Sequence, residues 1–167
     1  MSLLFRGLFS YFRAKLKKMK EIVKAIQDRI NRKVSTAMYI DVDWGQLQEQ
    51  DPPIKWPAVL IDIDGSDYQQ LQGDGDLGIQ QCIVEIRITL ASEKLSPTNV
   101  RAEKTSRESG LAYYDTLESI HKALQGWSDG VHFGQLERVR MRTRSSVRGH
   151  IVKDLYYQTV YIESTED

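Results

Sequence analysis

The sequence predicts an α+β domain with a mixed, mainly antiparallel sheet of about five strands and two main helices packed on one face. Two observations lead to this fold class. Five segments show the strand pattern, and two segments repeat apolar residues at the three- and four-residue steps of a helix. Their order is a helix, three strands, a second helix and two closing strands. A chain of 167 residues with 41% hydrophobic content can fill one core.

The first helix is predicted over residues 4–32, because one apolar stripe runs from Phe5 to Ile30. Arg6 and Arg13 interrupt the apolar residues near the start, so we expect neither a secretory signal nor a membrane span there. We interpret residues 1–18 as a basic amphipathic extension that packs on the domain or on a neighbouring subunit. A helix lying on a membrane surface is the alternative, and Met19 is an alternative start. The domain proper is predicted over residues 19–163, with a frayed acidic tail at 164–167.

Strands are predicted at residues 37–43, 56–64, 79–91, 135–144 and 150–163. The strand at 79–91 has the clearest pattern, because its apolar and polar residues alternate. The strand at 56–64 has apolar residues at consecutive positions, so both of its faces should be covered. Residues 64–78 include Gly73, Gly75 and Gly78, which predicts a long loop between these two strands.

The second helix is predicted from a capping box at Thr105 and Glu108 to a C-terminal cap at Gly126. Its apolar stripe is predicted to consist of Leu111, Tyr114, Leu117, Ile120, His121 and Leu124. We interpret His121 as a histidine at the boundary of the core, because no second metal ligand stands at helical spacing from it.

The charges of the chain balance overall but are unevenly distributed. The 23 basic and 23 acidic side chains cancel, which argues against a dedicated nucleic-acid binder. Residues 1–33 are strongly basic, whereas residues 56–86 carry five Asp and one Glu without any Lys or Arg. This asymmetry suggests contacts between parts of the molecule or between subunits. Cys82 is the only cysteine and lies at an inward position, so we expect a buried thiol in a reducing compartment and no disulfide framework.

No motif in the sequence indicates catalysis. The three histidines are scattered, and neither a nucleophile elbow nor a metal-ligand spacing is present. Asp62, Asp64, Asp74 and Asp76 resemble a calcium loop at first, but Ser66 and Gly73 stand where further ligands are required. The sequence therefore predicts no enzyme, no catalytic residue, no metal ligand and no cofactor.

An arginine-rich strand is the more informative group of residues. Arg138, Arg140, Arg142 and Arg144 occupy every second position, so we predict that all four project from one face. An acidic surface on a neighbouring subunit would relieve their mutual repulsion. The candidate subunit-interface residues are these four arginines together with Asp62, Asp64, Asp67, Asp74 and Asp76. A phosphate backbone is another possible partner, and an ordinary solvated face is the third interpretation.

The order of elements resembles the tail terminator (tail-completion) proteins of long-tailed bacteriophages, including the lambda-like minor tail protein family and its prophage relatives. The segments that carry the resemblance are a strand preceded by Pro57, an alternating strand, a helix ending in Leu124 and a closing hairpin, at residues 56–61, 80–91, 111–124 and 136–162. The resemblance covers residues 20–163. The chain departs from the family pattern in the extension at 1–18 and in the linker at 92–105.

This resemblance implies a structural protein, not an enzyme, that forms a homo-oligomeric, hexameric ring. Such a ring caps the tail tube, terminates tail polymerisation and joins the tail to the head. The implied partners are the tail tube protein and a head-completion protein, with no membrane. The implied location is the bacterial host cytoplasm during assembly and then the virion tail. The alternatives are another head-tail connector or neck protein, and a nucleic-acid-binding module that uses the arginine-rich strand.

Overall fold

The computed structural model describes residues 19–71, 79–93, 96–144 and 149–164, and it confirms the predicted α+β fold class. A five-stranded mixed sheet carries two helices on one face. The helices are α1 (Met19–Lys33) and α2 (Lys104–Leu124), and the strands are β1 (Tyr39–Val42), β2 (Ala58–Gln70), β3 (Ile79–Glu93), β4 (Glu137–Thr143) and β5 (His150–Ser164). Residues 1–18 and 165–167, which include the predicted extension and most of the acidic tail, lie outside the described residues.

The strands are arranged in the order β1-β2-β3-β5-β4. β1 pairs in parallel with β2, and the other three pairs are antiparallel. The two longest pairings, β2 with β3 and β3 with β5, lie at the centre of the sheet. Strands β1 and β4 therefore form the two edges, and they lie at opposite sides of the molecule.

The main core lies between the sheet and the two helices. Every second residue of β3 from Cys82 to Leu90 is fully buried on this side, as the alternation predicts. Helix α1 contributes Ile22, Ile26 and Ile30, which are spaced four residues apart and are also fully buried. Ile120 and Leu124 of α2 complete the layer. Apolar burial on one face of the sheet thus fixes where both helices pack.

A second, smaller apolar cluster lies on the opposite face of the sheet. Residues 43–57 connect β1 to β2 and include the 3-10 turn Gln46–Gln48. Leu47 of this connection packs with Leu60, Ala91 and Val152, and Trp56 stacks on His150 with ring centroids 4.2 Å apart. Strand β2 is therefore covered on both faces at its start, as its consecutive apolar residues predict.

The predicted loop at residues 64–78 is wrong in its first half, because β2 continues to Gln70. A bulge between Ile63 and Gly65 adds one residue, after which the pairing with β3 resumes. The polar sequence of this part is compatible with a strand because β3 is long enough to pair with it as far as Gln80. Residues 72–78, with Asp74, Asp76 and the three glycines, lie outside the described residues.

Two details of the second helix also differ from the prediction. Helix α2 begins one residue before Thr105, whose hydroxyl donates to the Glu103 carboxylate instead of capping the helix. The predicted capping box is therefore wrong. The buried tyrosine is Tyr113, whose hydroxyl donates to the Leu90 carbonyl at 3.1 Å, whereas the neighbouring Tyr114 is exposed.

Gly126 adopts the left-handed conformation that its predicted role at the end of the second helix requires. Its φ is +69°, and no atom beyond Gly126 and its two chain neighbours lies within 4 Å of the position that a Cβ would occupy. We expect Gly126→Ala to lower the free energy of unfolding by about 1 kcal/mol, purely through backbone strain. Gly65→Ala is the matched control, because Gly65 also has open space but lacks a positive φ. Equal losses in urea denaturation of the two variants would contradict this explanation.

Candidate assembly surface on the sheet

The arginine-rich strand is the edge strand β4, and a bulge divides its arginines between the two faces of the sheet. Arg138 pairs with Tyr157, whereas Arg140 pairs with Tyr156. Directly paired residues share a face and consecutive residues of β5 point to opposite faces. Arg138 therefore lies on the helix side, and Arg140 and Arg142 lie on the other side. The prediction that all four arginines share one face is wrong for Arg138, because the bulge adds one residue to the strand.

Arg144 forms the most buried ion pair in this region. Its Nε donates to Asp154 Oδ2 at 2.7 Å, and a terminal nitrogen donates to Thr89 Oγ1 at 3.2 Å. The Asp154 side chain is only 5% exposed and also accepts a hydrogen bond from Thr89 at 2.7 Å. Burial alone would lower the pKa of Arg144, but the carboxylates of Asp154 and Asp43 outweigh this effect and raise the pKa above its usual value.

Arg140 and Arg87 continue the same group of charges across the sheet. The Arg140 guanidinium contacts Glu85, lies 3.9 Å from Asp64, and stacks 4.0 Å above the ring of Tyr156. Arg87 binds Asp62 at 2.6 Å and Asp64 at 3.1 Å. We call these residues the charged cluster, which consists of Asp43, Asp62, Asp64, Glu85, Arg87, Arg140, Arg144 and Asp154.

The charged cluster contains five carboxylates and three guanidinium groups, so its formal charge is −2. The structure brings together four of the candidate interface residues in it: Arg140, Arg144, Asp62 and Asp64. Sequence reasoning missed the central role of Arg87. Its place on the wet face of the alternating strand was visible in the sequence, but its pairing with Asp62 depends on the register of the hairpin.

The other candidate residues lie apart from this cluster. Arg142 and Asp67 are exposed, and neither forms an ion pair with another residue in the part of the chain that the structure describes. Arg138 is also exposed, and its backbone N–H donates to Gln125 Oε1 at 3.0 Å. Two arginines on β4, Arg138 and Arg142, thus carry positive charge that no described carboxylate of the same chain balances.

His121 lies at the boundary of the core, as predicted, next to Tyr157 and Arg138. Its Nδ1 is 3.3 Å from the Tyr157 hydroxyl. Burial raises the pKa of Tyr157 to about 12, although Arg138 opposes this rise. Burial lowers the pKa of His121, and the positive charge of Arg138 lowers it further. The folded protein therefore resists protonation of His121, so this residue makes unfolding easier as the pH falls below the usual histidine pKa of 6.5.

The pKa of His121 can be used to test where the bulge in β4 lies. We expect Arg138→Gln to raise the pKa of His121 in an NMR titration, because it removes a nearby positive charge from the same face. Arg140→Gln is the matched control and should leave the titration unchanged, because Arg140 lies on the opposite face. The reverse result would show that Arg138 and Arg140 have exchanged faces.

The described residues contain neither a group of possible metal ligands nor a helix that could cross a membrane. Within residues 19–71, 79–93, 96–144 and 149–164, no three His, Cys, Asp or Glu side chains are grouped so that they could hold a metal ion. None of the helices in those residues is both long enough and apolar enough to cross a membrane. Cys82 is buried in β3 on the helix side.

No protein-family model and no curated protein matches the chain. Solved structures that match include a chain of the structure described as "Virion of native gene transfer agent (GTA) particle", with a TM-score of 0.48 and 11% sequence identity. The match covers 84% of this chain and 91% of the other.

Proposed function

We propose that the chain is a non-enzymatic structural protein of a phage-type virion, and more specifically a tail terminator. In this role several copies form a ring on the end of the tail tube, stop its polymerisation and provide the joint to the head. The sequence-based resemblance to tail terminator proteins suggests this role. The order of the described elements, from α1 through the β4–β5 hairpin, agrees with the order on which that resemblance is based.

The observation that carries the proposal is the order of strands in the sheet. A single layer with helices on one face leaves two different strands, β1 and β4, at its edges. A contact between unlike edges is heterologous, and heterologous contacts close into a ring when the rotation between subunits permits. A sheet of this kind is suited to assembly through its edges. The side chains of the charged cluster, in contrast, are already engaged in ion pairs with one another.

Binding to duplex DNA is a weaker proposal on this geometry. Arg140 and Arg144 are surrounded by carboxylates, and the charged cluster is formally negative. A phosphate backbone would have to compete with these ion pairs. Duplex retention that falls steeply with salt and is abolished by Arg140→Glu with Arg142→Glu would favour the nucleic-acid function instead.

The test uses the tail tube protein of the phage-type particle to which the proposal assigns this chain. The tube protein should be polymerised alone and with the purified chain at a ratio far below one to one, and tube lengths should be measured by electron microscopy. A terminator shortens the tubes and is found at their ends. Unchanged tube lengths with no bound chain would refute the proposed function, and binding to a head portal alone would favour a neck protein.

A further inference from the structure

Strand β4 has a basic outer surface with exposed apolar residues. All seven of its residues are exposed. Arg138 and Arg142 carry charge that is not balanced by described carboxylates, and Val139 and Met141 are 45% and 49% exposed. Large apolar side chains on an open edge strand attract other strands or surfaces unless they are covered. This edge therefore offers both charge and apolar area to a partner.

The edge at β1 has the opposite charge and a similar apolar content. Residues 34–54 contain Asp41, Asp43, Glu49 and Asp51 and no Lys or Arg. Asp43 is engaged in the charged cluster, whereas Glu49 and Asp51 are exposed. Met38 is 59% and Trp44 is 54% exposed, and Val42 between them is 40% exposed. Apolar side chains are thus exposed at β1, and exposed acidic groups follow in the connection to β2.

The backbones of the two edge strands do not meet within one chain, although the Arg144 side chain after β4 reaches the Asp43 carboxylate after β1 at 3.7 Å. The two strands are separated by four strand spacings, which corresponds to about 19 Å. The acidic residues proposed earlier as partners for the arginines, Asp62 and Asp64, already balance Arg87 of the same chain. The charges that remain unpaired, on Arg138 and Arg142 and on Glu49 and Asp51, have opposite signs and would attract each other between two copies.

We propose that the β4 edge of one copy binds the β1 edge of the next copy. Arg142 then faces the acidic segment at Glu49 and Asp51, which belongs to the connection on the same side of the sheet. Arg138 adds positive charge to the edge on the helix side, and Val139 and Met141 pack against Val42 and Trp44. The two surfaces differ, so the contact runs head to tail and each copy uses both edges. This inference rests on the proposed function, since it names the surfaces through which the ring would assemble.

Charge reversal provides the first test, with light scattering after size exclusion at several protein concentrations. We expect Arg138→Glu with Arg142→Glu to weaken self-association roughly tenfold, which corresponds to about 1.4 kcal/mol. We expect a similar loss for Glu49→Lys with Asp51→Lys. An equimolar mixture of the two double variants should recover association, because each edge then meets an edge of opposite charge.

The control for charge reversal is Lys104→Glu with Lys122→Glu on helix α2. Both lysines are exposed, and the change in net charge equals that of the arginine variant. This control should associate like the unaltered protein. Equal weakening in the control, or no recovery in the mixture, would overturn the proposed contact.

Cross-linking provides the second test, because it reports which surfaces meet. A short bismaleimide should join Val42→Cys of one copy to Val139→Cys of another, and the chain with both substitutions should give a ladder of covalent oligomers. Either single variant alone should stay monomeric on a denaturing gel, as should the unaltered chain with its buried Cys82. Dimers from one single variant would show a symmetric contact, and a missing ladder would show that these edges do not meet; each result overturns the inference.

The outcomes separate this inference from the proposed function. A ladder without any effect on tail tubes would retain the edge contact and refute the tail-terminating function. If the charge-reversed variants still shorten the tubes and no ladder forms, the proposed function holds and this contact is refuted.

Discussion

Replacing Arg144 with methionine is expected to lower the free energy of unfolding by about 3 kcal/mol. The substitution retains an unbranched side chain but leaves the Asp154 carboxylate without its cation. The Asp154 side chain is 5% exposed, so water cannot replace the lost partner. Its remaining hydrogen bond, from Thr89, does not balance a full negative charge. The measurement is urea denaturation near neutral pH.

Arg142→Met is the matched control for this prediction. Arg142 lies two residues earlier in the same strand and is exposed, and it forms no ion pair with the described residues. We expect its loss to change stability by no more than about 0.5 kcal/mol. Replacing Asp154 with leucine together with Arg144→Met should recover part of the stability, because no buried charge is then left unpaired. Similar losses for Arg142→Met and Arg144→Met would show that the ion pair with Asp154 contributes little.

The strands could be predicted from the sequence because alternation is a local signal. The pattern at residues 79–91 gave β3 nearly to its ends, and the consecutive apolar residues at 58–61 indicated a strand covered on both sides. Chain order and short connections then limited the arrangement of the sheet. The sequence did not predict the parallel pairing of β1 with β2. The 15-residue connection between these strands, at 43–57, contains no long helix that would have indicated a parallel pair.

The two bulges could not be predicted, and they determine the candidate site. A bulge inserts one residue relative to a partner strand, so it depends on pairing between segments far apart in sequence. The bulge before Gly65 lets β2 continue through a segment that reads as a loop. The bulge after Arg138 moves that arginine to the helix side. Alternation alone therefore placed the arginines in the right strand but assigned one of them to the wrong face.

The ion pairs of the charged cluster also depend on long-range register. Arg87 stands opposite Asp62 only because the hairpin pairs in this register. A shift by one residue would move the whole polar set of β3 into the core, so burial of the alternate residues fixes the register. The pairing of charges on one face is thus a consequence of apolar burial on the other.

Strand β3 contributes side chains to both faces of the sheet, and Ile86 is one of its core residues. Ile86 is fully buried and is paired on one side with Ile63 and on the other with Tyr157. We expect Ile86→Ala to lower the free energy of unfolding by about 3 to 4 kcal/mol, because the smaller side chain leaves a cavity that the paired strands cannot close. Urea denaturation followed by circular dichroism measures this loss.

Ile83→Ala is the matched control, since it removes the same atoms from the same strand on the opposite face. Ile83 is only partly buried, and its partner Val160 is exposed. Its loss should cost about 1 kcal/mol, because little apolar area returns to water and no closed cavity forms. A loss for Ile83→Ala as large as that for Ile86→Ala would mean that an apolar layer also covers this end of the opposite face in solution. In that case the loss should depend on protein concentration, because a second copy of the chain would supply the cover.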